Sequence, residues 1–335
     1  MIKGVFISID SHRALILPGA VAKGAYEAGV IDTIIKKDIR VDRIIATSSG
    51  ALNGVAYAAG IRAGQEKKMA ERLVHSWIEH GSWHDSLSFN PLSWLKGAGL
   101  SDRTELMKML HSLVTPCRSQ EKHDIELRII VAPLNGVRGK IGERDATTYE
   151  KVLHFSGKDF DTAEGLERIF EATTAACAFP GLFSPVEIEG LGPCADGGAV
   201  NNAPIKYALS DAVVDDIIIV VPFPAVMSQP ESLQGLKLIN HMVEILINER
   251  LYRDLKEAEV VNNEVRKLDK LVTSGIIDAA QLTAVKELLG IRPVQITQVR
   301  PSEPFKNSAF SGFFSKTDRT QLVEAGRKAA LECLS

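Results

Sequence analysis

Three short segments bring reactive side chains together with small residues. In Ala46-Thr47-Ser48-Ser49-Gly50 a serine is flanked by Ala46 two positions before and Gly50 two positions after. A strand that turns sharply into a helix presents such a serine at the sheet edge, and small flanking residues let neighbouring segments pass close to the turn. Choosing Ser49 would set Thr47 and Ala51 at the flanking positions, so Ser48 is the better nucleophile. The first amides of the following helix then face developing negative charge. The same five residues also suit a plain helix cap.

A serine hydroxyl needs a base to take its proton. Where serine, acid and histidine follow one another in that chain order, the histidine comes last. After Asp196 only His241 remains, inside an amphipathic stretch, where it reads as a packing or surface residue. Asp196 itself is the stronger candidate base. Gly197 and Gly198 follow it and permit a tight turn with unusual backbone angles, although Asp-Gly-Gly is also an ordinary turn.

The third segment, Pro18-Gly19-Ala20-Val21-Ala22-Lys23-Gly24, also stands between a strand and a helix. Such a turn exposes successive backbone N–H groups and suits an oxyanion hole. Phosphate-binding readings fit less well. The dinucleotide fingerprint requires glycine where Val21 stands, and a phosphate loop requires Lys and Ser or Thr where Ala25 and Tyr26 stand.

The elements that must hold these segments follow from periodicity. Arg13–Leu17 and Val41–Thr47 read as strands, and Ala22–Lys37 and Ala51–Ala63 as the helices after them. Strand–helix–strand–helix order favours a parallel sheet with helices on its faces. Glu66–His80 reads as an amphipathic helix, and a helix capped by Ser101 or Asp102 runs to about Leu113. Strands are expected over Ile125–Ala132, Thr147–Phe155, Phe183–Ile188, Ile217–Val221 and Ile291–Val299. The unbroken apolar run Ile217–Val221 marks a strand buried on both faces. Ala163–Ala178 reads as a helix, and Leu233–Val272 as one long amphipathic helix or two in series. Helices over Asp278–Leu289 and Asp318–Leu334 follow, the last with Thr317 as its cap.

Composition narrows the function classes. Hydrophobic residues make up 45% of the 335 residues, enough for a sizeable core. A net charge of -3 without a long basic run argues against nucleic acid as partner. Residues 1–10 lack the pattern of a signal peptide, and no apolar run is long enough to span a bilayer. Cys117, Cys177, Cys194 and Cys333 are scattered, with neither metal spacing nor a disulfide framework, which fits a reduced cytoplasmic setting. No cofactor or metal is expected. The sequence sets no oligomeric state.

Taken in order, the segments resemble the patatin-like phospholipase family. That family runs from a Gly-Gly-Gly-x-Arg/Lys-Gly loop through Gly-x-Ser-x-Gly to Asp-Gly-Gly/Ala. The corresponding pieces are Gly19-Ala-Val-Ala-Lys23-Gly24, Ala46-Thr-Ser48-Ser-Gly50 and Asp196-Gly197-Gly198. Gly24-Ala-Tyr-Glu-Ala-Gly-Val30, Gly50-Ala-Leu-Asn-Gly54, residues 172–186 and residues 196–205 also look like family segments. The likeness covers about residues 13–223 and the last helix.

The resemblance implies an α/β three-layer sandwich with a mostly parallel central sheet, occupying residues 10–335. Residues 232–290 would form a helical insertion or elaboration. It implies a serine acyl-hydrolase that cleaves phospholipids or other lipid acyl esters through a Ser48–Asp196 dyad and an acyl-enzyme. Backbone N–H groups around Ala20, Val21 and Ser49 would hold the oxyanion, in a loop that also includes Gly19, Lys23 and Gly24. Three departures stand out. Ala20 and Val21 replace loop glycines, and a β-branched valine disfavours positive φ; Ala46 replaces the first glycine of the elbow; and residues 232–290 have no clear counterpart in the family core. Two other readings compete. One is a non-catalytic member of the family whose helical segment binds a partner, and the other is a triad esterase using His241. Peripheral membrane contact is expected through apolar side chains in loops near the site, with Trp83, Trp94, Phe310, Phe313 and Phe314 as candidates; the same aromatics also suit a place in the core. The mixed charges of the long helix favour protein packing over a place at the lipid surface.

Overall fold

A computed structural model describes residues 12–20, 23–81, 88–89, 101–102, 104–117, 122–225, 234–289, 292–303, 305 and 315–334. Val21, Trp83, Trp94, Phe310, Phe313 and Phe314 lie outside the described residues.

An eight-stranded sheet organises the chain. Its strands are β1 (His12–Leu17), β2 (Arg43–Ala46), β3 (Glu126–Pro133), β4 (Lys151–Ser156), β5 (Val186–Ile188), β6 (Gly192–Asp196), β7 (Val214–Val220) and β8 (Gln295–Val299). They lie in the order β8-β7-β1-β2-β3-β6-β5, with β4 also pairing β3. The five strands from β8 to β3 are mutually parallel. The far edge is antiparallel, with β4 along the first part of β3 and β6 along its end.

Side chains on successive strand residues point to opposite faces, and two apolar layers result. Leu15, Leu17, Ile44, Ala46, Ile129, Ile218 and Val220 face one layer. Helices α1 (Gly24–Lys36), α2 (Ser49–Arg62), α3 (Glu66–His80), α4 (Thr104–Val114), α5 (Ala163–Ala176) and the last helix, α8 (Lys316–Cys333), contribute to that layer. Ala14, Ile16, Ile45, Ile130, Ile217 and Ile219 face the other layer. The short helical turn at Lys206–Leu209 lies on that side, through Ala208. So does α6 (Gly235–Thr273), through Leu251. The fold is therefore a three-layer α/β sandwich with a mostly parallel sheet, and the Ile217–Val221 run is buried on both faces.

Several elements differ from the sequence reading. Thr147–Phe155 is not one strand. It divides between β4 and the arm Arg144–Thr148 of a polar hairpin with Val137–Ile141. Strand β6 was not foreseen, because Gly192 and Pro193 are poor strand formers away from an edge. Ser101 and Asp102 pair with Ser88 and Phe89, and α4 begins at Thr104. The cap of α8 is Ser315, whose side chain accepts from the Asp318 amide, rather than Thr317.

The long amphipathic segment is one 39-residue helix, α6, followed by α7 (Ala279–Leu289). Together they separate β7 from β8 in the chain. On α6, Leu251, Ala258 and Val265 are buried, while Leu238, Met242, Ile245, Tyr252 and Val260 are exposed. No helix among the described residues is long and apolar enough to cross a membrane.

Candidate active site

Strand register brings the two halves of the site level with each other. Ala46 on β2 pairs with Ile129 on β3, and Asp196 on β6 pairs with Val131, two residues further along β3. Ser48 is two residues beyond Ala46, so Ser48 and Asp196 meet over the end of β3. The Ser48 hydroxyl donates to Asp196 Oδ2 at 2.7 Å.

Ser48 has φ 52° and ψ -134°, one of two non-glycine residues with positive φ among those described. This is a costly conformation for a side-chain-bearing residue and it marks the turn from strand to helix. The turn is clamped from several sides. The Thr47 amide donates to Leu17 O at 3.1 Å, and the Ala51 amide to Ser48 O at 2.9 Å. The Cys177 thiol also donates to Ser48 O, at 3.0 Å. A Cβ on Gly50 would lie 2.2 Å from the Leu17 carbonyl oxygen, so β1 passes the elbow only because position 50 has no side chain.

Asp196 is almost completely buried. Burial pushes its carboxyl up to about 6, against the lowering effect of the Ser48 hydroxyl and the Gly198 amide, which donates to Oδ1 at 2.7 Å. Its own amide donates to Ala178 O at 3.0 Å. The end of α5 therefore holds both halves of the pair, Ser48 through Cys177 and Asp196 through Ala178.

Gly197 and Gly198 do not serve the purpose inferred from sequence. Neither has positive φ, and Gly197 sits at φ -62°, ψ -21°. They are needed for space. A Cβ on Gly197 would meet Ile130 O at 2.1 Å and Thr47 Oγ1 at 2.6 Å, and one on Gly198 would meet Asn202 Oδ1 at 2.6 Å.

The loop after β1 closes over Ser48. A Cβ on Gly19 would stand 2.6 Å from Ser48 Cβ and 2.4 Å from Asn202 Oδ1. Asn202 brackets this glycine, its Nδ2 donating to Gly19 O at 2.9 Å and its carbonyl accepting from the Gly19 amide at 3.3 Å. The Ala20 amide donates to Ser49 Oγ at 2.9 Å. The Lys23 amide donates to Ala20 O at 2.9 Å and closes the turn. Gly24 opens α1 against the Trp77 ring.

A buried network ties α1 to α2 beneath the loop. Asn53 Nδ2 donates to Gly24 O at 3.0 Å and to Glu27 Oε2 at 2.7 Å, while Trp77 Nε1 donates to Asn53 Oδ1 at 2.7 Å. Burial pushes the Glu27 carboxyl well above the usual range, with the Asn53 amide opposing.

Gly19, Ala20, Lys23, Gly24, Ala46, Ser48, Ser49, Gly50, Asp196, Gly197 and Gly198, all expected at the site from sequence, lie at the carboxyl ends of β1, β2 and β6 and in the turns that follow them. Asn202, Cys177, Asn53 and Glu27 were not singled out. Of these, Asn202 carried a signal, since it follows Asp196-Gly197-Gly198 closely in the chain. His241 lies on α6, with Nδ1 3.8 Å from Glu244 Oε2, while the Ser48 hydroxyl is directed at Asp196.

With this geometry in place, comparison with known proteins identifies the family. The family model described as patatin-like phospholipase matches residues 15–209, more than half of the chain. The chain belongs to the patatin-like phospholipase family. One curated relative is triacylglycerol lipase SDP1L of Arabidopsis thaliana, 28% identical over 187 residues, or 53% of this chain and 20% of the lipase. The chain thus matches a fifth of that relative's length. Among solved structures, VipD of Legionella pneumophila aligns over 96% of this chain and 66% of its own, with TM-score 0.42 and 13% identity. A chain of the ExoU–SpcU heterodimer from the Pseudomonas aeruginosa type III secretion system aligns over 96% and 68%, with TM-score 0.27 and 14% identity.

Proposed function

We propose that the protein is a serine hydrolase of lipid acyl esters, with Ser48 as nucleophile and Asp196 as its only protein base. One observation carries the reading. A strained serine at a strand-to-helix turn donates its proton, at 2.7 Å, to a buried carboxylate. Family membership supports the lipid acyl ester as substrate class.

In the first half-reaction Ser48 Oγ attacks the ester carbonyl as Asp196 Oδ2 takes the hydroxyl proton. The tetrahedral oxyanion is held by amides of the loop after β1 and by the first amides of α2, whose N-terminus carries partial positive charge. Asp196 then returns the proton to the departing alkoxide, which leaves as an alcohol or lysolipid. In the second half-reaction water attacks the acyl-enzyme, Asp196 takes a proton from it, and Ser48 recovers its hydrogen as the fatty acid departs. A base with a pKa raised to about 6 is ionised at neutral pH yet a better proton acceptor than an ordinary aspartate. Phospholipase A-type specificity, contact with a membrane surface, a cytoplasmic location and the reading of residues 232–290 as an insertion belong to the same proposal.

The test is fatty acid release from phospholipid vesicles and triacylglycerol emulsions, alongside labelling by a fluorophosphonate. Wild type should do both and Ser48→Ala neither. A wild-type protein that neither labels nor hydrolyses would sink the proposal in favour of a non-catalytic family member. His241→Ala should keep turnover, because the Ser48 proton is directed at Asp196; loss of turnover on that substitution favours the triad instead.

A further inference from the structure

Strands β1 and β7 are neighbours whose connections leave in opposite directions. The connection from β1 runs through α1 to β2 on one side, and that from β7 runs through α6 to β8 on the other. Helices α1 and α6 cover opposite faces of the sheet. A crevice opens at the carboxyl ends of two such strands, the place where open α/β sheets bind ligands.

Lys23 fills this crevice. It is 4% exposed. Its Nζ lies 3.4 Å from Glu244 Oε1 on α6, 4.0 Å from the centre of the Phe223 ring and 5.5 Å from that of Phe305. Phe223 belongs to the loop after β7 and Phe305 to the segment after β8. The Lys23 backbone belongs to the loop over Ser48, because its amide closes the turn onto Ala20 O. The residue thus joins the end of the oxyanion loop to a helix beyond the family match, which ends at residue 209.

A buried ammonium is costly to leave unpaired, and removing one partner of a buried pair leaves the other uncompensated. The two rings attract the cation weakly, and Glu244 supplies the opposite charge. Burial lowers the Lys23 ammonium to about 8, and Glu244 opposes that fall, so the residue stays charged at neutral pH. His241 stands beside Glu244, and Arg300 lines the same groove from the end of β8.

We propose that Glu244 is a positioning residue for the oxyanion loop, acting through the Lys23 ammonium, so that α6 takes part in forming the active site. The proposal rests on the serine-hydrolase reading. Removing the Glu244 charge would leave the Lys23 ammonium buried without that opposite charge, so that it gives up its proton more readily and the loop end shifts with it. Transition-state stabilisation would then suffer more than substrate binding.

The experiment compares kcat and KM for a short p-nitrophenyl ester in wild type, Glu244→Gln, Lys23→Met and the double variant. Urea unfolding midpoints are measured for each. Each single variant should lose roughly 10-fold or more in kcat with KM within about twofold, and the double should lose no more than the worse single. Wild-type activity should decline above pH about 8 as Lys23 loses its proton. That limb should move to lower pH in Glu244→Gln and vanish in Lys23→Met. Wild-type kcat in Glu244→Gln, additive losses, an effect on KM alone, or an unmoved alkaline limb with a lowered unfolding midpoint each overturn the proposal. If wild type itself neither hydrolyses the ester nor labels with a fluorophosphonate, the hydrolase reading fails and this inference falls with it.

Discussion

The hydroxyl of Ser49 holds the amide of Ala20 at 2.9 Å. The serine beside the proposed nucleophile therefore occupies one of the backbone donors expected to face an oxyanion. Substrate has to win that amide from Ser49, or rely on other donors nearby. Ser49→Ala frees the amide and leaves Ser48 and Asp196 untouched. We expect kcat to stay within about 10-fold of wild type, since each oxyanion donor contributes ~10²–10³ in rate and none is removed. Ser48→Ala should be inactive. Side-by-side esterase assays decide the matter, and an active Ser48→Ala with a dead Ser49→Ala would show that the nucleophile is misassigned.

Backbone strain at Ser48 has a measurable signature. At φ 52°, ψ -134° alanine is strained and glycine is not. Both substitutions remove the hydroxyl, so their difference isolates the backbone. Ser48→Gly should be more stable than Ser48→Ala by about 1 kcal/mol, after about 0.5–1 kcal/mol is deducted for the extra freedom of glycine in the unfolded chain. Urea unfolding of the pair gives the answer. An alanine variant at least as stable as the glycine one would mean the elbow is relaxed.

Asp196 links activity and stability to pH in opposite senses. Burial raises its carboxyl from 3.8 to about 6, so the folded state holds the proton more tightly than the unfolded chain. The associated stability is fully present below 3.8 and is lost as pH rises through about 6. Asp196→Asn, which cannot ionise, should match wild type near pH 4 and exceed it at pH 8 by about 2–3 kcal/mol. The proposed base works only when ionised, so wild-type kcat/KM should fall as pH drops below about 6, while Asp196→Asn should be inactive throughout. Thermal unfolding across that range, run beside the rate profile, checks both halves. An Asn variant less stable than wild type at pH 8 would contradict the desolvation account.

Asn202 supports the loop through a donor, and its size is secondary. Its Nδ2 donates to Gly19 O at 2.9 Å in a buried setting. Asn202→Asp keeps the volume but cannot donate. It should lower stability by about 1–3 kcal/mol, because a buried carbonyl loses its partner. Turnover should fall by roughly 10-fold or more as the loop over Ser48 loosens. Unchanged turnover in a folded Asn202→Asp protein would remove Asn202 from the site.

Local pattern alone made much of this protein legible. The parallel half of the sheet, the elbow at Ser48 and the aspartate at 196 follow from periodicity, small residues at set spacing and a short polar turn. These are local properties, since a strand or helix reads its own side chains with period 2 or 3.6. The long helix α6 was legible for the same reason, although whether it was one helix or two was not.

What the sequence left open depends on contacts between segments far apart in the chain. Strand β6 forms although Gly192 and Pro193 are poor strand formers, because β3 and β5 both offer it partners. Gly197 and Gly198 looked like a turn needing positive φ. Packing shows that they make room for Ile130, Thr47 and Asn202. Ser48 and Asp196 are 148 residues apart in sequence, and only the common register of β2 and β6 against β3 sets them 2.7 Å apart. The tie between Lys23 and Glu244 spans 221 residues and joins two sides of the crevice between β1 and β7. No local pattern encodes such a pairing, because the attraction that offsets the cost of desolvating the two charges exists only when the whole sheet is assembled.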